Sequence, residues 1–226
     1  RLAYPFGREL GMVRMDAQTR AQAKAAVAGF QADGGTAMGT WLTLATRVLA
    51  TVPSAVQRHA ILLTDGINQH ETPEQLTAAI EGARGRFQAD CRGVGAAWQV
   101  AEVRRIATAM LGTVDLIARP EDMAADFEGI MRQAMGRGVA DAAIRVWAPQ
   151  GSQVLFVRQV APTVEDLTSR RQEVNALTGA YPTGSWGDES RDYHVAVRLP
   201  AKVVGQEQLA ARVQVAVGDE VLAQGL

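Results

Sequence analysis

The stretch Ile61-Leu62-Leu63-Thr64-Asp65-Gly66 decides how the rest of this chain is read. A short run of branched aliphatics ends abruptly in Thr-Asp-Gly. This is the pattern of a buried parallel strand whose C-terminal tip presents one carboxylate and then turns on a glycine. In open α/β sheets, ligands gather beyond the carboxyl ends of such strands, so Asp65 is the first candidate functional residue. Taken alone, Asp65-Gly66 reads more simply as a pair that caps the next turn.

A second stretch shifts that balance. Gly34-Gly35-Thr36-Ala37-Met38-Gly39-Thr40 precedes an apolar helical run, Trp41-Leu42, Leu44-Ala45 and Val48-Leu49. A glycine-rich turn with a hydroxyl at a helix start can bring oxygen and N–H groups to one point. Downstream come Gly93-Val94-Gly95, then Val103 to Ala107, then Leu111-Gly112 with Val114 to Ala118. In this order and spacing, over roughly residues 30 to 136, the chain resembles a von Willebrand factor A domain. The resemblance implies a Rossmann-like α/β fold with a metal-ion-dependent adhesion site above the sheet. There Mg2+ (or Mn2+) is held by an Asp-x-Ser-x-Ser motif of the first strand, a threonine of the second loop and the aspartate of Thr-Asp-Gly. By the same resemblance Thr36 and Asp65 are metal ligands, and an Asp or Glu side chain of a partner protein takes the open coordination position. All-oxygen ligation suits a hard cation that keeps several waters. Gly35, Gly66, Asn68, His70, Glu71 and Trp98 then form the rim that a partner would touch. For His70 and Glu71 a solvated loop is the plainer reading, and for Trp98 packing onto the following helix is.

The sequence departs from the family in one respect: no Asp-x-Ser-x-Ser occurs in it. Arg1-Leu2-Ala3-Tyr4-Pro5-Phe6-Gly7 looks like the segment after the third family strand. The expectation is therefore that the first strand, first helix and second strand lie upstream in a longer protein. The metal is conditional on ligands supplied there, because two oxygens are too few to hold magnesium tightly. The alternative is a structural or assembly domain with a degenerate metal site.

Composition narrows the classes. A hydrophobic share of 47% is enough for a packed core, and a net charge of −1 gives no electrostatic reason to expect nucleic acid or an anionic membrane. No apolar run approaches a membrane span and no signal peptide is visible. The single cysteine, Cys91, excludes an intrachain disulfide and favours a reducing compartment, hence a cytoplasmic placement. It sits in an apparent strand, as an inert buried thiol would.

Along the chain, Asp16 caps a helix running to about Phe30, and a second helix spans about Met38 to Ala50 with Trp41 in its first turn. Thr72-Pro73-Glu74-Gln75 opens a helix reaching about Phe87: a cap, proline at the first position, acid in the first turn. Asp90 to Gly95 and Thr113 to Ala118 read as strands flanking a helix over Gln99 to Leu111. The last helix opens at Pro120, with Met123, Phe127, Ile130, Met131 and Met135 expected on its core side. Gly136-Arg137-Gly138 marks a boundary, giving an α/β domain over 1–137 and an all-β sandwich over 138–226. Within the sandwich, Gly179 to Asp188 is expected to be a long turn-rich surface loop.

The function read from these residues is a non-enzymatic protein-interaction module. An enzyme reading, a magnesium-dependent phosphatase with Asp65 as nucleophile, is weaker. It needs a second aspartate two residues on, where Ile67 stands, and a downstream lysine, where only Lys202 is found. No Gly-x-Ser-x-Gly occurs, and Gly34-Gly35 lacks dinucleotide-loop spacing.

Overall fold

The computed structural model describes residues 11–31, 35–55, 57–95, 98–136 and 138–226. The opening Arg1 to Gly7 segment, and Asp33 and Gly34 of the glycine-rich turn, lie outside them. The chain divides into two units, residues 1–126 and 127–226. The division falls a helix earlier than the 137/138 boundary suggested by the change of sequence pattern.

The first unit runs α1 (Ala17–Ala28), α2 (Met38–Leu49), β1 (His59–Thr64), α3 (Pro73–Ala83), β2 (Gln88–Val94), α4 (Val100–Ala109) and β3 (Val114–Ile117). The three strands form one parallel sheet in the order β1-β2-β3, with Leu62 opposite Cys91 and Thr64 opposite Gly93. Parallel neighbours need crossover helices, and α3 and α4 provide them. Local chemistry fixes the helix starts. The Thr72 hydroxyl accepts from the Gln75 amide while the Gln75 side chain accepts from the Thr72 amide, and Pro73 follows at the first helical position. Asp16 and Thr19 make the same reciprocal cap on α1, yet α1 buries none of its residues.

The core joins Leu62, Ala89 and Cys91 of the sheet to Leu42, Leu76, Ile80, Val103, Ile106 and Met110 of the helices, and Trp41 packs against it. Burial first, and then the neighbouring Asp90 charge, push the Cys91 thiol up to about 12, which makes it inert at neutral pH. β2 is the central strand. Among the described residues β1 has no partner on its outer edge, and its Leu63 is 41% exposed.

Helix α5 (Met123–Gly136) spans the division. Its buried residues are Ile130 and Ala134, one turn apart, while Met131 and Met135 are exposed. The expected core face is thus corrected at Met131 and Met135, while Ile130 is buried and Met123 and Phe127 are half-buried: the helix turns its i, i+4 pair inward, and the two exposed methionines fall outside that face.

The second unit contains β4 (Val139–Trp147), β5 (Gln153–Ala161), β6 (Glu165–Asp166), β7 (Gln172–Asn175), β8 (Thr178–Trp186), β9 (Asp192–Arg198), β10 (Arg212–Val217) and β11 (Glu220–Gly225). Antiparallel pairing gives a five-stranded sheet, β11-β10-β4-β8-β7, and a three-stranded sheet, β6-β5-β9. Ile144, Val146, Val157, Leu167 and Tyr181 form its core. The stretch expected to be a loop, Gly179 to Asp188, is largely β8, an inner strand between β4 and β7. Its glycines and proline do not break the strand because the pairing with β4 shifts register around Ala142 and Ala143, opposite Pro182 and Gly184. Irregular pairing there absorbs the residues that ordinarily disrupt a ladder.

Candidate functional site

The C-terminal end of β1 carries Asp65 into solvent. The turn behind it is held by Thr64, whose hydroxyl contacts both the Gly66 amide (3.3 Å) and the Gly66 carbonyl (3.2 Å). Gly66 lies directly under the Thr36 loop. A Cβ added at Gly66 would stand 3.2 Å from Thr36 Oγ1, so the threonine hydroxyl lies close to the Asp65-Gly66 turn. The Thr36 carbonyl accepts from the backbone amides of Gln69 and His70, both at 3.1 Å, which clamps the two loops together. His70 lays its ring on Gly35: a Cβ there would fall 1.8 Å from the imidazole, so only glycine permits this packing.

Asn68 and Glu71 serve the helix behind the site. Ala37, the residue before α2, makes no side-chain cap, and the orphan amides at that end are satisfied from the other loop. The Asn68 side-chain oxygen accepts from the Met38 amide at 3.1 Å, and Glu71 accepts from the Gly39 amide at 2.7 and 3.0 Å. The Asn68 amide in turn donates to Glu71 at 2.7 Å. A carboxylate at a helix N-terminus is also favoured by the helix dipole.

Trp98 covers the neighbouring strand β2, at the residue opposite Thr64. Its ring covers Gly93, where a Cβ would be 1.9 Å away, its indole N–H donates to the Gly95 carbonyl at 3.0 Å, and it packs against the core of the first unit. The structure therefore brings Gly35, Thr36, Gly66, Asn68, His70 and Glu71 together beside Asp65, with Asn68 and Glu71 engaged in capping.

The donor set suits a hard cation in type: a hydroxyl and a carboxylate, both oxygen. Their number falls short. Among the described residues no group of three or more His, Cys, Asp or Glu side chains converges on one point. The residues present could contribute to a metal site but do not complete one.

Two side-chain links centred on buried residues of β2 are not foreseen from the sequence. Asp90, 1% exposed on β2, accepts from the Thr113 amide (2.6 Å) and hydroxyl (2.8 Å), with His59 Nε2 at 2.8 Å from its other oxygen. Burial alone would push the Asp90 carboxyl up, but the bonds from His59 and Thr113 outweigh it and hold it at about 2. Arg92 pairs with Asp126 at 2.9 Å and donates to the Cys91 carbonyl and Thr113 hydroxyl. The available signal was a charged pair, Asp90 and Arg92, inside an otherwise apolar strand.

No family model matches the chain. An uncharacterised protein from Synechocystis sp. is 26% identical over 151 residues, which is 65% of this chain and 36% of that protein. The solved structure of a von Willebrand factor type A protein from Catenulispora acidiphila is 48% identical, with a TM-score of 0.93 over 100% of this chain. The chain spans about half of that structure, 53% of its length. Among the described residues no helix is long and apolar enough to cross a membrane. Near-half identity along the whole chain, together with the same path of strands and helices, gives this chain the von Willebrand factor A fold.

Proposed function

We propose that this chain acts as a non-enzymatic protein-interaction module in which Thr36 and Asp65 each give one oxygen to a divalent-metal site. The metal, Mg2+ or Mn2+, would engage an Asp or Glu side chain of a partner protein, its remaining ligands coming from outside the described residues and from water. The observation that carries the reading is the proximity of the Thr36 hydroxyl to the Asp65-Gly66 turn at the carboxyl end of β1. A hydroxyl and a free carboxylate on adjoining loops, backed by a capped helix, offer a hard cation a prearranged pair of donors. A charge-assisted contact of this kind confers specificity more than bulk affinity.

A second reading, an assembly domain with an incomplete metal site, is favoured by one observation: Asn68 and Glu71 are spent on the N-terminus of α2 and leave few polar groups for a ligand. Calorimetric titration of the full-length protein with magnesium and manganese separates the two. Saturable binding that disappears in Thr36→Ala and Asp65→Ala, with the fold retained, supports the metal-assisted module. Absence of binding in the unmodified protein removes it and leaves the assembly reading.

A further inference from the structure

The second unit holds a cavity of about 710 Å³ at one end of the sandwich, walled by the β4–β5 turn, the short β7–β8 turn and the ends of the strands they join. A volume in this range suits a small organic ligand. The wall is two-faced. Val146, Val154 and Leu177 give it an apolar side, whereas Thr168, Tyr181 and Arg171 give it polar groups. Arg171 supplies its charge, and no Asp or Glu lines it.

The Arg171 side chain packs along β8. It lies across Gly179 of β8, where a Cβ would stand 2.7 Å from Arg171 Nε, so the glycine makes room for it. Tyr181 lies beside it; burial pushes the phenol above its ordinary pKa, and Arg171 pulls the other way. The phenol stays buried beside the guanidinium as part of the core. Arg158, Arg170 and Arg191 of the same unit are matched with Asp166, Glu165 and Glu189. Among the described residues Arg171 has no carboxylate within ion-pair distance.

We propose that this cavity binds a small carboxylate with a short apolar tail. Arg171 holds the carboxylate, and Val154 and Leu177 cover the tail. An exposed guanidinium presents N–H donors and no acceptor, which selects an anion over a cation. The adjoining apolar wall selects against a fully hydrated inorganic ion. The site belongs to a different unit from the Thr36 and Asp65 loops, so it stands or falls separately from the metal reading.

The test is titration of the intact chain, followed by amide ¹H–¹⁵N correlation spectra, with sodium hexanoate, hexylammonium and hexanol as probes. The expected result is saturable shifts at Gly151, Leu177 and Gly179 with hexanoate alone. Affinity should fall about tenfold or more in Arg171→Gln, as loss of a charge-assisted contact requires, and stay unchanged in Arg119→Gln. Because Arg171 is solvent-exposed, its replacement leaves the core intact. Gly179→Val, which displaces the guanidinium, should reproduce the loss. N-acetylleucine in place of hexanoate tells the source: tighter binding assigns the carboxylate to a polypeptide end, weaker binding to a free acid. No saturation with either carboxylate, equal response to all three hexyl probes, or undiminished affinity in Arg171→Gln would overturn the proposal.

Discussion

The Glu71 carboxylate takes hydrogen bonds from Gly39 and Asn68 at once, and through them it joins the loop after β1 to the start of α2. Removing it leaves an orphan amide on a half-buried helix end and frees the loop that carries Thr36. Glu71→Ala is expected to cost about 1–2 kcal/mol, measured by urea denaturation, and Glu71→Gln distinctly less because an acceptor remains. Asp90 makes a pH-dependent contribution. Its folded pKa of about 2 lies below the ordinary 3.8, so its contribution is fully present above pH 4 and is lost as the pH falls toward 2. Across that interval the unmodified protein should lose roughly 2 kcal/mol more stability than Asp90→Asn, read from amide exchange in β2. Equal acid sensitivity in the two would show that the His59 and Thr113 contacts do not govern the carboxylate.

Between α4 and β3 the chain makes a close turn with Leu111 at a φ of 56° and Gly112 against β2. A Cβ at Gly112 would lie 1.8 Å from the Ala89 carbonyl oxygen, a backbone atom that cannot swing aside. Gly112→Ala should therefore destabilise the first unit by about 3 kcal/mol or more. Gly82 in α3 is the contrasting case: an added Cβ meets nothing within 4 Å. Gly82→Ala is expected to stabilise by about 0.5–1 kcal/mol through helix propensity alone. Thermal unfolding of the two variants beside the parent checks both signs. The same scale explains why β8 was hidden from the sequence. Gly179, Pro182 and Gly184 carry the local signature of a loop, and only pairing with β4 and β7 makes them an inner strand that buries Tyr181.

Each unit has a core of its own: Leu42, Leu76 and Ile106 among others in the first, Val146, Val157 and Tyr181 in the second, with no member in common. Separate cores allow separate cooperative transitions. Calorimetric scanning should resolve two transitions, with Leu42→Ala lowering one and Tyr181→Ala the other, each by about 3–5 kcal/mol of local stability. A single transition that both substitutions move together would show that the cores unfold as one.

The sequence by itself determined the elements that depend on near neighbours. The strand from His59 to Thr64, the cap at Thr72-Pro73 and the α/β-then-β grammar follow from hydrophobic periodicity and from side chains bonding their own backbone a few residues away. The places of Thr36 and Asp65, just before a helix start and at a strand end, were legible for the same reason. Only the tertiary structure decided what Asn68 and Glu71 do, because their partners at Met38 and Gly39 lie some 30 residues upstream. It also decided that Asp90 meets His59 and Arg92 meets Asp126, that Met131 and Met135 face solvent, and that Arg171 lies over Gly179. These are matters of which distant backbone or side chain arrives opposite a residue, and local periodicity does not encode that.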